Sequence, residues 1–357
     1  MHRWRTAFLS LLLIWSVGPQ IACADSRLVE LLFVGDVSFA GRPLPPKNAV
    51  LGKRNPLRDV ASLFKQAALV VANGEGLLTE TPPAAYGAKR LNIGASPLWA
   101  GVYHAAGVDL VGLANNHTWD DGAAGVLENR QHLLATGVAV YGAGPTEATA
   151  LAPYTLVSEG RCQVAIVPAT LKSNRPARRG AKAAYYRGTK GLHRLEARIR
   201  NLKAQQCVVI VSVHWGKEGV HYPPQSVVRA AHRIVDAGAD VVIGHHPHVL
   251  QGVEYYRGVP IAYSLGNFVF TNRTPDKRET GIFSVKLSSS VPSRVVQVGL
   301  IPATIAIRGG FVPRLSTESE SQRTERRLRE WSRPWGTRVG IEHGVVIFKP
   351  PMSTDTQ

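Results

Sequence analysis

The chain has 357 residues, 45% of them hydrophobic, and a formal net charge of +17 at pH 7. That apolar share supports a sizeable core in one large domain and excludes an intrinsically disordered chain. The positive excess points to polyanions such as an anionic polymer or a phosphorylated substrate, and no motif or basic–aromatic interleaving accompanies it that would favour nucleic acid.

Residues 1–24 read as a signal peptide. "MHRWR" is basic, "AFLSLLLIWSVG" is apolar but short for a bilayer span, and "ACA" places small residues before a cleavage point at Ala24. The mature chain is then expected to begin at Asp25 and to be exported, to the periplasm or outside the cell. An uncleaved membrane anchor is the alternative.

The first mature apolar run is "LVELLFVG", residues 28–35. "NPLRDVASLFKQA" reads as a helix with Asn55 as cap and Pro56 at its first position, feeding the run "LVVA". "ASPLWAGVYHAAG" is a second helix, opened by Ser96 and closed by Gly107, feeding "VDLVGLA". "DDGAAGVLENRQHLLATG" is a third, closed by Gly137 and feeding "VAVYG". "VAIVPA" and "CVVIVSV" read as strands on either side of a basic segment that ends in a helix. "PPQSVVRAAHRIVDAG" gathers Val228, Ala231, Ile234 and Val235 on one helical face, and "DVVIG" and "VPIAYSLG" follow as strands. This alternation predicts an α/β core of largely parallel strands. Past Thr271 the runs "GIFSVKL", "RVVQVGLIPATIAI" and "GVVIFK" look antiparallel and are interrupted by the helical "TESESQRTERRLREWS". Residues 271–357 are therefore expected to form a β extension packed on the main domain.

Two features lie on this frame. Cys162 and Cys207 each precede an apolar run, so adjacent parallel strands would start with their thiols level; a disulfide and two half-buried thiols are both open. Residues 172–203 hold eleven Lys or Arg against one Glu. Arg175, Arg178, Arg179 and Lys182 are the candidate polyanion-binding residues, against the plainer reading of a solvated basic face.

The side chains just past each predicted strand carry the chemistry. They are Asp36, then Asn73 and Glu75, then Asn115, Asn116 and His117 with Asp120 close by, then His214 with Glu218, then His245, His246 and His248, then Asn267. Ligands of α/β sheets bind at the carboxyl ends of strands, so these groups can converge. Carboxylate, carboxamide and imidazole without thiolate suit Mn, Fe or Zn. Two such ions about 3.5–4 Å apart clamp the oxygens of a phosphoryl transfer. Ordinary turns also account for Asp36, Asn73 or Asn267 taken singly, and Glu218 is assigned to the surface. The three-histidine turn is the strongest signal: His246 and His248 read as ligands, while His245 packs or orients them.

The stretches "FVGDVSFAGR", "NGEGLLTE", "ANNHTWDDGAAGVLENRQHLLATGVAVYGAG", "HWGKEGVHYPPQ" and "AGADVVIGHHPHVLQGVEYYRGVPIAYSLGNFVF" closely resemble the capsule and poly-γ-glutamate biosynthesis proteins of the CapA type, from about Leu28 to Phe270. That family is similar to the calcineurin-like metallophosphoesterases. The resemblance implies a four-layer α/β/β/α sandwich over residues 25–270 and one or two divalent ions. It implies a role in making or exporting an anionic envelope polymer, alongside the synthesis or export machinery. Matched motif by motif, Asp36, Glu75, Asn116, His214, His246 and His248 become metal ligands, and His117 the proton donor to the leaving oxygen. Two positions depart from the phosphoesterase pattern. Ser38 stands where a His is usual, and Glu75 stands for an Asp, which leaves open a single ion or a non-catalytic polyanion-binding or export component.

Overall fold

The structure is a computed structural model that describes residues 28–41, 55–80, 93–158, 160–174, 180–288, 293–308 and 310–352. The signal-peptide assignment and three of the four proposed polyanion contacts, Arg175, Arg178 and Arg179, lie outside the described residues.

Two sheets form the centre. The first runs in the order Arg338–Glu342, Val345–Lys349, Val295–Ala306, Glu279–Ser288, Leu28–Val37, Leu69–Gly74, Leu110–Gly112, Ala139–Tyr141. Its last four strands are parallel and its first five antiparallel, with Leu28–Val37 belonging to both halves. The second runs Val253–Tyr256, Val259–Ala262, Val241–His245, Val208–His214, Arg161–Thr170, Tyr154–Ser158, with the four middle strands parallel.

Strand periodicity explains why there are four layers. Along Leu28–Val37, Leu31 and Phe33 face one side while Leu32 and Val34 face the other, and all four are buried. A strand buried on both faces needs a layer on each. Leu31, Phe33, Leu69 and Val71 meet Val164, Ile166, Val208, Ile210 and Ile243 of the second sheet. Leu32, Val34, Val70 and Val111 pack under Phe64, Val102, Ala106, Val126 and Leu133 of the helical layer. Val209, Val211 and Val242 pack under helices Gly188–Ala204 and Gln225–Asp236, through Leu195, Ile199, Ala231 and Ile234. The result is the α/β/β/α sandwich expected.

The strands after residue 271 join the first sheet directly: Phe33 pairs with Phe283 and Val34 with Ile282. Helix Glu318–Ser332 begins with a capping box made by Thr317 and Glu320, and it inserts Leu328 and Trp331 between the sheets. A disulfide joins Cys162 to Cys207, with Cα atoms 5.3 Å apart. It is set by the parallel register in which Val164 stands opposite Val208. One expected helix is much shorter than read. Only Ala61–Phe64 is helical: Asn55 Oδ1 accepts from the Leu57 N–H at 2.8 Å as a cap does, but residues 55–60 form turns closed by i→i+3 bonds from Arg58 to Asn55 and from Val60 to Leu57. Among the described residues no helix is long and apolar enough to cross a membrane.

Candidate metal centre

The parallel strands of both sheets end on the same edge, and the polar residues collect there. Asp36 sits near the end of Leu28–Val37 with Asn267 beside it in register. This approach depends on Gly35, where an added Cβ would lie 2.1 Å from the Gly266 carbonyl oxygen. The Asp36 N–H instead donates to that oxygen at 2.9 Å. Glu75 follows Leu69–Gly74, and its N–H donates to Val37 at 2.8 Å. His214 and His245 end adjacent strands opposite one another. The chain then turns through His246 and His248 with positive φ, 97° and 59°. Non-glycine residues hold such angles at a cost of about 1–3 kcal/mol each, which the surroundings must offset. The Asp36 carboxylate does part of this, accepting from the His246 N–H at 3.3 Å.

Glu75 is at the middle. It is 1% exposed, and among the described residues neither carboxylate oxygen has a hydrogen-bond partner. Three imidazole Nε2 atoms surround its Oε1: His248 at 3.7 Å, His214 at 3.8 Å and His117 at 3.9 Å. On one side His214 Nε2 lies 2.7 Å from Asn116 Oδ1 and 3.1 Å from His246 Nδ1. On the other, His248 Nδ1 lies 2.9 Å from Asn267 Oδ1 and 3.2 Å from Asp36 Oδ2, which leaves its Nε2 facing Glu75. Donating Nδ1–H to a fixed acceptor is the usual way a ligating imidazole is oriented. Among the described residues, three sets of ligand atoms lie close enough to share an ion: Glu75 with His214 and His246, Asp36 with Glu75 and His248, and Glu218 with His246 and His248. Glu75 belongs to two of them. An unpaired buried carboxylate between oriented nitrogens, with no thiolate in the set, fits a hard or borderline divalent cation.

The electrostatics agree. Burial raises the Glu75 carboxyl well above its usual range, with Asp36 adding to it and the nearby His248 opposing. Burial and the neighbouring His246 hold the His214 imidazole well below its usual range, and burial and the His248 charge push His246 down to about 3. Both imidazoles are therefore neutral and have lone pairs to give. His248 differs: burial alone would lower it, but Glu75 and Asp36 raise it to about 9. Asp36 is buried too, yet His245 and His248 keep it ionised, well below the usual carboxylate range.

His117 sits at the rim. Its Nδ1 is 2.7 Å from Asp120 Oδ2 and 3.3 Å from Asn174 Nδ2, so its Nε2 is the atom turned to Glu75. Asn116 Nδ2 also donates to Asn174, at 3.2 Å. All seven expected residues, Asp36, Glu75, Asn116, His117, His214, His246 and His248, are thus brought together. His245 lies 3.5 Å from Asp36 Oδ1 and in none of the ion-sharing sets. Glu218 is exposed as expected, but its carboxylate reaches His246 and His248, a proximity that its spacing after His214 alone does not reveal. Asn73, which donates to Asp36 at 2.8 Å, and Asn267 support ligands rather than turns. Ser38 is buried, its hydroxyl 3.4 Å from the Ala40 N–H. Lys182 is half-buried in a two-residue strand paired with Ala143–Gly144.

Comparison with known proteins extends this picture. Residues 30–272 match the family described as "Bacterial capsule synthesis protein PGA_cap". The "PGA biosynthesis protein CapA" of Bacillus subtilis (strain 168) is 26% identical over 281 residues, 77% of this chain and 72% of that one. The "Capsule biosynthesis protein CapA" of Bacillus anthracis is 26% identical over 322 residues, 84% of this chain and 75% of that one. Among solved structures, a putative 5'-nucleotidase from Staphylococcus aureus, in complex with alpha-ketoglutarate, superposes with a TM-score of 0.50 at 14% identity. That likeness covers 85% of this chain and 59% of the nucleotidase, and it concerns the fold alone. On the span of that match and the order in which its motifs meet at one strand edge, the chain belongs to the bacterial capsule synthesis protein family.

Proposed function

We propose that this protein is an exported, metal-dependent hydrolase of the phosphoesterase type that serves capsule or poly-γ-glutamate biosynthesis. The relatives' names supply the pathway. The observation that carries the chemistry is Glu75, buried with both oxygens unpaired and three imidazoles around it. In this reading Asp36, Glu75, Asn116, His214, His246 and His248 would hold one or two ions of Mn, Fe or Zn. Such an ion supplies charge to polarise a phosphoester and acidifies water near neutral pH. The protein's own groups do the rest. Asn267 and Asp36 fix the tautomer of His248. Asp120 holds His117 at Nδ1 and so turns Nε2 inward, where it can give a proton to the departing oxygen. The buried floor excludes bulk water from Glu75 and His214.

One observation favours a second reading, a non-catalytic polyanion-binding or export component. Ser38 supplies a hydroxyl where the phosphoesterase pattern has an imidazole, which lowers the donor count beside Asp36. Purified protein separates the two. Stoichiometric Mn, Fe or Zn together with turnover of bis-p-nitrophenyl phosphate is the expected result. A protein that binds none of these ions after reconstitution with each would rule out the hydrolase.

A further inference from the structure

A cleft of about 460 Å³ opens beside the metal centre, between the first turns of helices Gly188–Ala204 and Gln225–Asp236. It is tied to the centre through neighbouring backbone. Leu171 lies in its wall, and the Leu171 N–H donates to the His214 carbonyl at 2.9 Å. Trp215 and Gly216, the next wall residues, directly follow His214. Lys172 stands where the cleft meets the centre: two residues on, Asn174 contacts Asn116 and His117.

The lining has a definite chemistry. Lys172 has no carboxylate within salt-bridge distance among the described residues, whereas the other wall cation, Arg233, is bound to Glu196. Leu171 and Leu192 offer apolar surface, and Thr189 and Ser226 offer hydroxyls. Trp215 is 1% exposed and presents no ring face for a nucleobase to stack on. The volume suits a flexible chain segment rather than a single ion. A ligand that alternates methylenes, amides and carboxylates answers each group: stems on the leucines, amides on the hydroxyls, a carboxylate on Lys172.

We propose that this cleft is the subsite for a carboxylate-bearing chain of the γ-glutamyl type and that Lys172 is its anion-reading residue. The proposal rests on the polymer reading given above. Calorimetric titration with a γ-linked glutamate pentamer tests it, with tripolyphosphate as the competing anion. Lys172→Gln is expected to weaken pentamer binding about tenfold or more, the scale of one lost hydrogen bond to a charged group. Thr189→Trp, which fills the exposed mouth and leaves the charge alone, should weaken the pentamer similarly and leave tripolyphosphate unaffected. Bound metal should be equal in parent and variants, which separates loss of the cleft from loss of the centre. If the parent binds the pentamer and both variants bind it equally well, the cleft is wrong while the polymer reading survives. If the variants lose tripolyphosphate and keep the pentamer, the ligand class is wrong. If the parent binds no pentamer, both the cleft and the polymer reading fall.

Discussion

Glu75→Gln should invert in effect between the metal-free and the metal-loaded protein. In the metal-free chain Glu75 is a buried carboxylate with no hydrogen bond, and burial raises its pKa against the opposing charge of His248. Removing the charge relieves a desolvation cost of several kcal/mol, part of which protonation already relieves. The unpaired amide that replaces it costs about 1–3 kcal/mol. The net is a small gain, about 1 kcal/mol. A chain of this length unfolds with an entropy of roughly 0.7 kcal/mol/K, so the melting temperature rises by about 1–2 °C. With Mn²⁺ at a hundred times the parent's Kd the parent gains about 2.7 kcal/mol, or about 4 °C. If losing this ligand weakens binding a hundredfold, the variant gains only about 0.4 kcal/mol. The variant should therefore melt above the parent in chelator and about 2 °C below it in Mn²⁺. Thermal unfolding by circular dichroism reads both states. An equal Mn²⁺ increment in the two proteins would refute the assignment of Glu75 as an ion ligand.

Other outcomes follow from the same geometry. His246→Ala and His248→Ala should lose metal by mass spectrometry together with phosphodiesterase turnover. His117→Ala should keep its metal while turnover falls about 10²–10⁴-fold, and Asp120→Asn, which loosens the hold on the His117 ring, should lower turnover without releasing metal. Cys162→Ser should lower unfolding stability by about 2–4 kcal/mol, and the parent's unreduced mass should be two hydrogens below the free-thiol mass; two alkylatable thiols in native protein would contradict the disulfide. Glu320→Gln should destabilise the protein by about 0.5–1 kcal/mol at pH 7, because it removes the charge paired with Arg314 while a Gln can still close the capping box. That pair lowers the Glu320 pKa to about 2. A depressed carboxylate stabilises above its unfolded value and loses that contribution as pH falls, so parent and variant should converge in denaturant titrations between about pH 4.5 and pH 2.

The sequence by itself determined the layers and the donor set. Its doubly buried runs, such as Leu31 to Val34, need cover on both faces, and its Gly and Pro punctuation fixed where most strands end. Residues at strand ends share one edge of a parallel sheet, so Asp36, Glu75, Asn116, His214 and His246 could be grouped without any coordinates. Where sequence reading failed, a contact at long separation or a local side-chain bond decided the matter. The helix after Asn55 is capped where expected, but its first turns close by i→i+3 bonds and only Ala61–Phe64 is α-helical. Glu218 reads as a surface residue because its partners, His246 and His248, come from a different strand end. Asn267 could belong to the strand-end set or to an ordinary turn, and the choice is made only where Gly35 lets its strand approach Asp36 and its carboxamide meets His248. Periodicity and punctuation report what each segment must bury. Which nitrogen of an imidazole faces the centre, and which carboxylate is left without a partner, depends on pairs tens to hundreds of residues apart, and only the packed sheets bring those pairs together.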